Sequence, residues 1–364
     1  MSFPLLSYLT QEESLLPLCE KHSLNYFYKL YSLEGYSQPD STPLNWINLK
    51  FVFEPLLNSK LYCEANKNNY NYFSSLFIVV ISKLEHFEQR SFLRKEFTEQ
   101  GISSVIFVLA AANASTQNLA NVNSEASKEK DLLVLDNLEE NYRLLTYKTR
   151  AWLQWLVKKF YQNCGPPRFL LKIDDDVMVN WDALARLSQR AGLSPKRLLF
   201  CRAIPNGQIS RNPASKWYLS SSEYKRNKPR GLGLYCQGMA ILLSGDLLLP
   251  ALNNIRRVQF LWMDDWYLTH ALLFNTNATF VDIEPQVSSV DEEIKFNTKN
   301  NISQALNVYY TPIFAHFRPA EHFPYSRRLF EWKKMLSRKP KQIDKFYFFK
   351  RIKNKTVFTV KTYL

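Results

Sequence analysis

The chain has 364 residues, 46% of them hydrophobic and 15% aromatic, with a formal net charge of +14. That length allows one sizeable domain with extensions, and the apolar share supplies a large core. The sequence excludes a membrane-spanning helix, because no run approaches the roughly 20 apolar residues one needs, and a zinc module, because Cys19, Cys63, Cys164, Cys201 and Cys236 have no zinc-ligand spacing.

Residues 1–70 are rich in Tyr, Leu and Asn without a clear period, and no role is read from them. The early Glu12-Glu13 pair and the lack of a basic start followed by an apolar run leave no signal-peptide pattern. Asn66 to Asn71 reads as a polar linker. After it a β/α alternation begins: a strand at Leu76 to Ile81, a charged helix around Leu84 to Gln100, a strand at Val105 to Leu109, a helix, and a strand at Leu132 to Leu135. Leu145, Trp152, Leu156 and Phe160 then mark the apolar face of a further helix, which leads into the strand Phe169 to Ile173. This order predicts an α/β fold whose mostly parallel sheet is covered by helices on both faces. Between Arg327 and Lys361, thirteen Lys or Arg face only Glu331 and Asp344, interleaved with Phe346, Tyr347, Phe348 and Phe349. Residues 336–364 therefore read as a solvated basic, aromatic tail, and no nucleic-acid partner is expected.

The strand Phe169 to Ile173 runs straight into Asp174-Asp175-Asp176 and then Val177-Met178-Val179-Asn180. Adjacent carboxylates repel unless a cation gathers them, and hard oxygen ligands suit Mg²⁺ or Mn²⁺. Their place beyond the carboxyl end of a buried strand is where open α/β sheets keep ligands. The competing reading is an acidic turn or helix cap. Four glycosylation sequons, at Asn113, Asn277, Asn301 and Asn354, have meaning only in a lumenal protein. The five cysteines permit two disulfides at most.

The triplet has company. Arg90, Leu93 and Arg94 fit an Arg-x-x-Ile-Arg-x-x-Trp motif with Phe97 in place of Trp; Glu125 precedes Asp131-Leu132-Leu133; and Thr146-Tyr147-Lys148-Thr149 echoes Thr-x-Lys-Thr. Lys172 to Asn180, Trp217 to Tyr224, Tyr235 to Ile241 with Ala240 for a glycine, Asp264-Asp265-Trp266, and His316-Phe317-Arg318-Pro319 follow in order. Over roughly residues 76–335 these motifs resemble the β-1,3-galactosyltransferase and β-1,3-N-acetylglucosaminyltransferase family, which includes the Fringe enzymes.

The resemblance implies a GT-A type catalytic domain over 71–335. It would invert configuration while moving galactose or N-acetylglucosamine from a UDP-sugar donor to a hydroxyl of a glycan acceptor on glycoprotein or glycolipid. By the same resemblance Asp176, Asp174 and His316 are the expected ligands of Mn²⁺ or Mg²⁺, and Asp175 turns to the ribose or sugar hydroxyls. Arg90, Arg94, Lys148 and Lys172 serve the nucleotide, and Asp265 or Asp264 is the base. Gly238 allows close backbone approach near the acceptor, where Ala240 crowds a loop. Golgi residence with membrane association is expected from the family, although this chain shows no anchor. Two alternatives stand beside this reading: a phosphohydrolase using Asp174-x-Asp176, which Met178 fits poorly, and a catalytically inactive relative acting as a lumenal binding protein.

Overall fold

The computed structural model describes residues 50–55, 76–163, 165–190, 196–205, 207–224, 231–284, 287–290, 312–317, 325–337, 345–352 and 355–362. The expected linker at 66–71, nearly all of residues 1–70, and the sequons at Asn301 and Asn354 lie outside the described residues. The first half alternates as predicted: β1 (Phe51–Phe53), β2 (Leu76–Ile81), α1 (Phe87–Glu99), β3 (Val105–Ala112), α2 (Thr116–Glu129), β4 (Leu132–Glu139), α3 (Leu145–Asn163) and β5 (Phe169–Asp174). The second half is richer in strands: β6 (Val177–Val179), α4 (Trp181–Arg190), β7 (Leu198–Ile204), β8 (Tyr235–Ser244), α5 (Leu248–Asn254), the short α6 (Asp264–Trp266), β9 (Thr279–Asp282), β10 (Val287–Val290), β11 (Phe314–Phe317), α7 (Tyr325–Leu336), β12 (Lys345–Ile352) and β13 (Lys355–Thr362).

One sheet runs β1-β4-β3-β2-β5-β8-β7-β9-β12-β13, and a second runs β10-β11-β6. Strands β4, β3, β2 and β5 are parallel, the unit that strand-helix alternation builds. Antiparallel partners extend it, β1 beyond β4 and β8 beyond β5. Every residue of β2 is buried, and its alternation feeds two cores. Phe77, Val79 and Ile81 join Trp152, Leu156 and Phe160 of α3, whereas Leu76, Ile78 and Val80 join Leu93 and Phe97 of α1 and Leu184 of α4. An apolar strand without polar alternation is what helices on both faces require.

Two expectations change. The basic C-terminal segment is no solvated tail: β12 and β13 form a hairpin, and β12 extends the main sheet by pairing Phe349 with Phe280 and Tyr347 with Asp282 of β9. Phe349 is buried in one core and Phe348 packs half-buried against the other, apolar contacts that a charge count does not register. Ala240 does not sit in a loop but in β8, buried opposite Ile173 of β5. Phe97 and Met178 also serve the core, Phe97 edge-on to Trp181 at 5.7 Å and Met178 against Phe317 and Trp332. A disulfide joins Cys201 of β7 to Cys236 of β8. Among the described residues no helix is long and apolar enough to cross a membrane.

Phe160 is fully buried on α3, edge-on to Phe77 at 5.2 Å. Phe160→Ala should cost about 3–5 kcal/mol through lost transfer energy and the cavity left behind. Urea unfolding should show a lower midpoint at unchanged slope; a loss below about 1 kcal/mol would mean that α3 is not tightly seated on the sheet.

Candidate active site

The acidic turn lies where β5 ends. Asp174 is the last residue of β5, in register with Ile81 of β2; Asp175 and Asp176 make the turn, and β6 begins at Val177. Strand β11 pairs antiparallel with β6, His316 opposite Val177, which carries a histidine 140 residues away to the triplet. His316 Nε2 lies 3.1 Å from Asp176 Oδ2, and the Phe317 amide donates to the Asp176 carbonyl at 3.0 Å. Asp176 Oδ1 is buried and has no hydrogen-bond partner among the described residues. A buried carboxylate oxygen left in this way normally has a cation or donor to meet.

Lys172, two residues before Asp174, points to the same side of β5. Its buried ammonium donates to Asp174 Oδ1 at 2.8 Å and to the Gly238 carbonyl at 2.6 Å, and it lies 3.6 Å from Asp264 Oδ2. Burial alone would lower its pKa, but Asp174 and Asp264 outweigh that and raise it. Asp174 is pushed up to about 6, by desolvation first and by Asp176 and Asp264 after it, against the pull of Lys172.

Asp264 and Asp265 open α6, which runs into a π-helical turn over Tyr267–Ala271. π-turns are frequent at functional sites. Asp265 Oδ1 accepts the Trp266 amide at 2.7 Å, and its carbonyl accepts the Thr269 hydroxyl at 2.6 Å. Thr269 in turn accepts the Cys236 amide at 2.9 Å, so the half-cystine of β8 is fixed to the helix that carries Asp265. A Cβ on Gly238 would stand 3.0 Å from Asp265 Cβ, so glycine lets β8 come this close. Asp265 is pushed up to about 7, by burial first and by Asp264 second.

Behind the acidic turn, Ser82 joins three elements. Its hydroxyl donates to Asp175 Oδ2 at 2.6 Å and accepts from Arg90, and its carbonyl accepts the Lys148 ammonium at 2.8 Å. His86 Nδ1 lies 2.8 Å from the same Asp175 oxygen. The sequence predicts Arg90, Arg94 and Lys148 as nucleotide contacts, whereas the structure commits their donors to protein groups. Fully buried Arg90 forms a bidentate pair with Glu125 and also donates to the Lys83 and Leu84 carbonyls. Arg94 bridges Glu125 and Asp131, and Lys148 pairs with Glu140 at 2.6 Å. Burial would raise the pKa of Glu125, but the two guanidiniums hold it below the usual range. These cations therefore brace the site from behind.

Sequence reading overlooked Ser82, His86 and Tyr142. Ser82 had a signal, since it directly follows a buried parallel strand. The Tyr142 hydroxyl is raised in pKa by burial first and then by the charges of Asp264, Asp265 and Asp174. Its ring meets Trp217 edge-on at 5.8 Å, and Trp217 stays 46% exposed beside the site. The Trp217 to Tyr224 motif is braced by a capping box: Ser220 N donates to Glu223 Oε2 and Glu223 N to Ser220 Oγ, with Arg143 on Glu223 at 3.0 Å.

Residues 88–284 match the family model described as Galactosyltransferase. Beta-1,3-galactosyltransferase 1 of Homo sapiens is 26% identical over 221 residues, covering 59% of this chain and 63% of its own length. Beta-1,3-galactosyltransferase 5 of Pan paniscus is 26% identical over 199 residues, covering 53% of this chain and 62% of its own. The chain thus spans less than two thirds of the length of these curated relatives. Among solved structures, galactosyltransferase LgtC with donor and acceptor sugar analogs aligns at a TM-score of 0.37 and 14% identity, over 72% of this chain and 97% of that one. Mannosyltransferase PcManGT from Pyrobaculum calidifontis with GDP-Man and Mn²⁺ aligns at 0.30 and 11%, over 69% and 58%.

Glu125→Ala would strand the buried Arg90 guanidinium. Removing one partner of a buried pair costs about 3–5 kcal/mol, so urea unfolding should show a loss of that order, with Glu125→Gln in between. A loss near zero would show that the network does not hold α2 to the site.

Proposed function

The chain belongs to the galactosyltransferase family, and from that membership we propose that it moves a hexose from a UDP-sugar to a hydroxyl of a glycan with inversion at the anomeric carbon. Galactose or N-acetylglucosamine is the sugar and a β-1,3 linkage the product. The observation that carries this reading is the placement of Asp265. A carboxyl held near neutrality lies against Gly238, and the Lys172 ammonium links its neighbour Asp264 to the acidic turn at Asp174.

Among the described residues no three His, Cys, Asp or Glu side chains converge to hold a metal by themselves. A nucleotide-bound Mn²⁺ or Mg²⁺ asks less of a protein, since one or two carboxylates suffice when phosphates and water complete the shell. Asp176 and His316 fit that role, because Asp176 has one buried oxygen without a partner among the described residues and the other 3.1 Å from an imidazole nitrogen, with Asp174 two residues before it. The nitrogen donor favours Mn²⁺. When bound, the cation would compensate the charge that builds on the departing diphosphate.

The protein's own groups divide the remaining work. Asp265 takes the proton of the acceptor hydroxyl as that oxygen attacks the anomeric carbon, and the bond to the UDP oxygen breaks on the opposite face. Asp264, 3.6 Å from the Lys172 ammonium, helps to keep the Asp265 pKa high. Asp175, fixed by Ser82 and His86, faces the ribose or sugar hydroxyls. Trp217 and Tyr142 offer ring surface to the apolar face of an acceptor sugar, which supports a glycan as acceptor. We place the protein in the Golgi lumen. The Cys201–Cys236 bond supports this, since disulfides persist in oxidising compartments.

Calorimetric titration of UDP with Mn²⁺ and then with chelator tests the metal and nucleotide together. Asp176→Ala should lose both metal-dependent UDP binding and transfer, whereas Asp265→Asn should lose transfer and keep binding. Equal loss of binding in the two variants would overturn this division of roles.

The pH profile tests the base. Asp265 acts deprotonated, so kcat/KM should rise with pH and level off above about 7. Because folding raises this pKa, the native state is disfavoured increasingly as pH climbs from the ordinary carboxylate value towards 7. Asp265→Asn should therefore raise the melting temperature more at pH 8 than at pH 4. A profile flat between pH 5 and 9 would remove Asp265 from the role.

A further inference from the structure

At the end of the strands opposite the acidic turn, the sequence Phe274-Asn275-Thr276-Asn277-Ala278-Thr279 makes the turn that enters β9. Its geometry is fixed by its neighbours. The Asn254 amide donates to the Leu272 and Phe274 carbonyls at 2.8 and 3.1 Å, the Thr276 hydroxyl donates to the Leu273 carbonyl at 2.8 Å, and the Thr279 amide donates to the Arg197 carbonyl at 2.7 Å. Asn275 and Asn277 take left-handed backbone angles, φ 63° and 55°, which asparagine tolerates. Phe274 keeps 41% exposure, and Asn277 is exposed. Both line one cleft of about 610 Å³ with Arg197, Asp246 and Arg257.

The other described sequon differs. The Asn113 side chain donates to Glu139 Oε1 at 2.6 Å, and the Ser115 hydroxyl of that sequon caps α2 by accepting the Asn118 amide at 3.2 Å. At Asn277 the modifiable side chain stands on a rigid turn, at an open polar cleft, with an exposed aromatic ring three residues before it.

We propose that Asn277 carries an N-linked glycan whose first N-acetylhexosamine lies over the Phe274 ring. The inference rests on the lumenal placement above. The Asn277 amide nitrogen attacks the anomeric carbon of an oligosaccharide joined to a polyprenyl diphosphate. The C–N bond forms as the C–O bond to the diphosphate breaks, the nitrogen's proton passes to a base, and the polyprenyl diphosphate leaves. The apolar face of the attached sugar then covers ring surface otherwise exposed to water, while Arg197 and Asp246 offer a donor and an acceptor to its hydroxyls. The glycan becomes a clamp on the turn between the π-helical segment and β9.

The test is expression of the full chain in the secretory pathway of eukaryotic cells, with glycopeptide mass spectrometry before and after peptide N-glycosidase. Asn277 should be occupied in most molecules, and Asn277→Gln and Thr279→Val should each abolish the modification there. Enzymatic deglycosylation should lower the melting temperature of the wild type and leave that of Phe274→Ala unchanged. Occupancy at Asn113 with Asn277 empty would overturn the proposal, as would the absence of glycan at both. An equal fall in melting temperature with and without Phe274 would overturn the stacking. Metal-dependent UDP binding measured on the same preparation separates any of these failures from failure of the transferase reading.

Discussion

A single buried ammonium makes the site physically feasible. Asp174, Asp264 and Asp265 come from segments about ninety residues apart in sequence, and like charges at such short range repel by several kcal/mol at the effective dielectric of a protein. Lys172 meets Asp174 and Asp264 directly and anchors on the Gly238 carbonyl, so the strand, the helix start and β8 converge on one cation. With that charge in place Asp264 lies beside the ammonium, while Asp265, one residue further on and half-buried, has its pKa pushed up to about 7.

Around this centre, chains of ion pairs and hydrogen bonds brace the carboxylates. Arg90, Glu125, Arg94 and Asp131 form a chain of ion pairs, buried at Arg90 and Glu125 and half-buried at Arg94 and Asp131, whose inner end is the Ser82 hydroxyl, and Ser82 fixes Asp175. On the far side Cys236, Thr269 and the Asp265 carbonyl form a second chain, anchored by the Cys201–Cys236 bond. Such chains immobilise the functional carboxylates before any ligand arrives, which a site with a narrow geometric tolerance requires.

Sequence patterns revealed the parallel half of the fold and the chemistry at its rim, for definite reasons. A wholly apolar strand such as Leu76 to Ile81 has no place except between two helical layers, and its boundaries were legible to the residue. Ordered motifs brought Asp174 to Asp176, Asp265 and His316 into one reading, and the structure joins His316 to Asp176 through the pairing of β11 with β6. What stayed illegible depends on pairing between distant segments. The charges of Arg90 and Arg94 look available in a sequence, because nothing local shows that Glu125 and Asp131 face them across α1 and α2. The hairpin of β12 and β13 was hidden by its lysines, since charge dominates a composition window while Phe349 decides which face is buried. Ala240 is read as a loop position until the register of β8 on β5 is known.

Strand β5 is the seam between the two ways in which this sheet is built, and the site follows from that. On one side it pairs with parallel β2, whose carboxyl end delivers Ser82; on the other it pairs with antiparallel β8, which delivers Gly238 and leads by way of Thr269 to Asp265. A purely parallel sheet would place further strand ends, and so further loops of one kind, on both sides of Asp174. The reversal at β8 instead sets a strand interior, flat and glycine-bearing, against the helix of the base. Under the proposed transfer, the half with β2 faces the nucleotide and the half with β8 faces the attacking hydroxyl, so the two substrates meet along the line where the sheet changes direction. A carboxyl held near neutrality at that line lowers stability, and the two cores that bury β2 and β5 on both faces provide the surplus that lets the fold tolerate it.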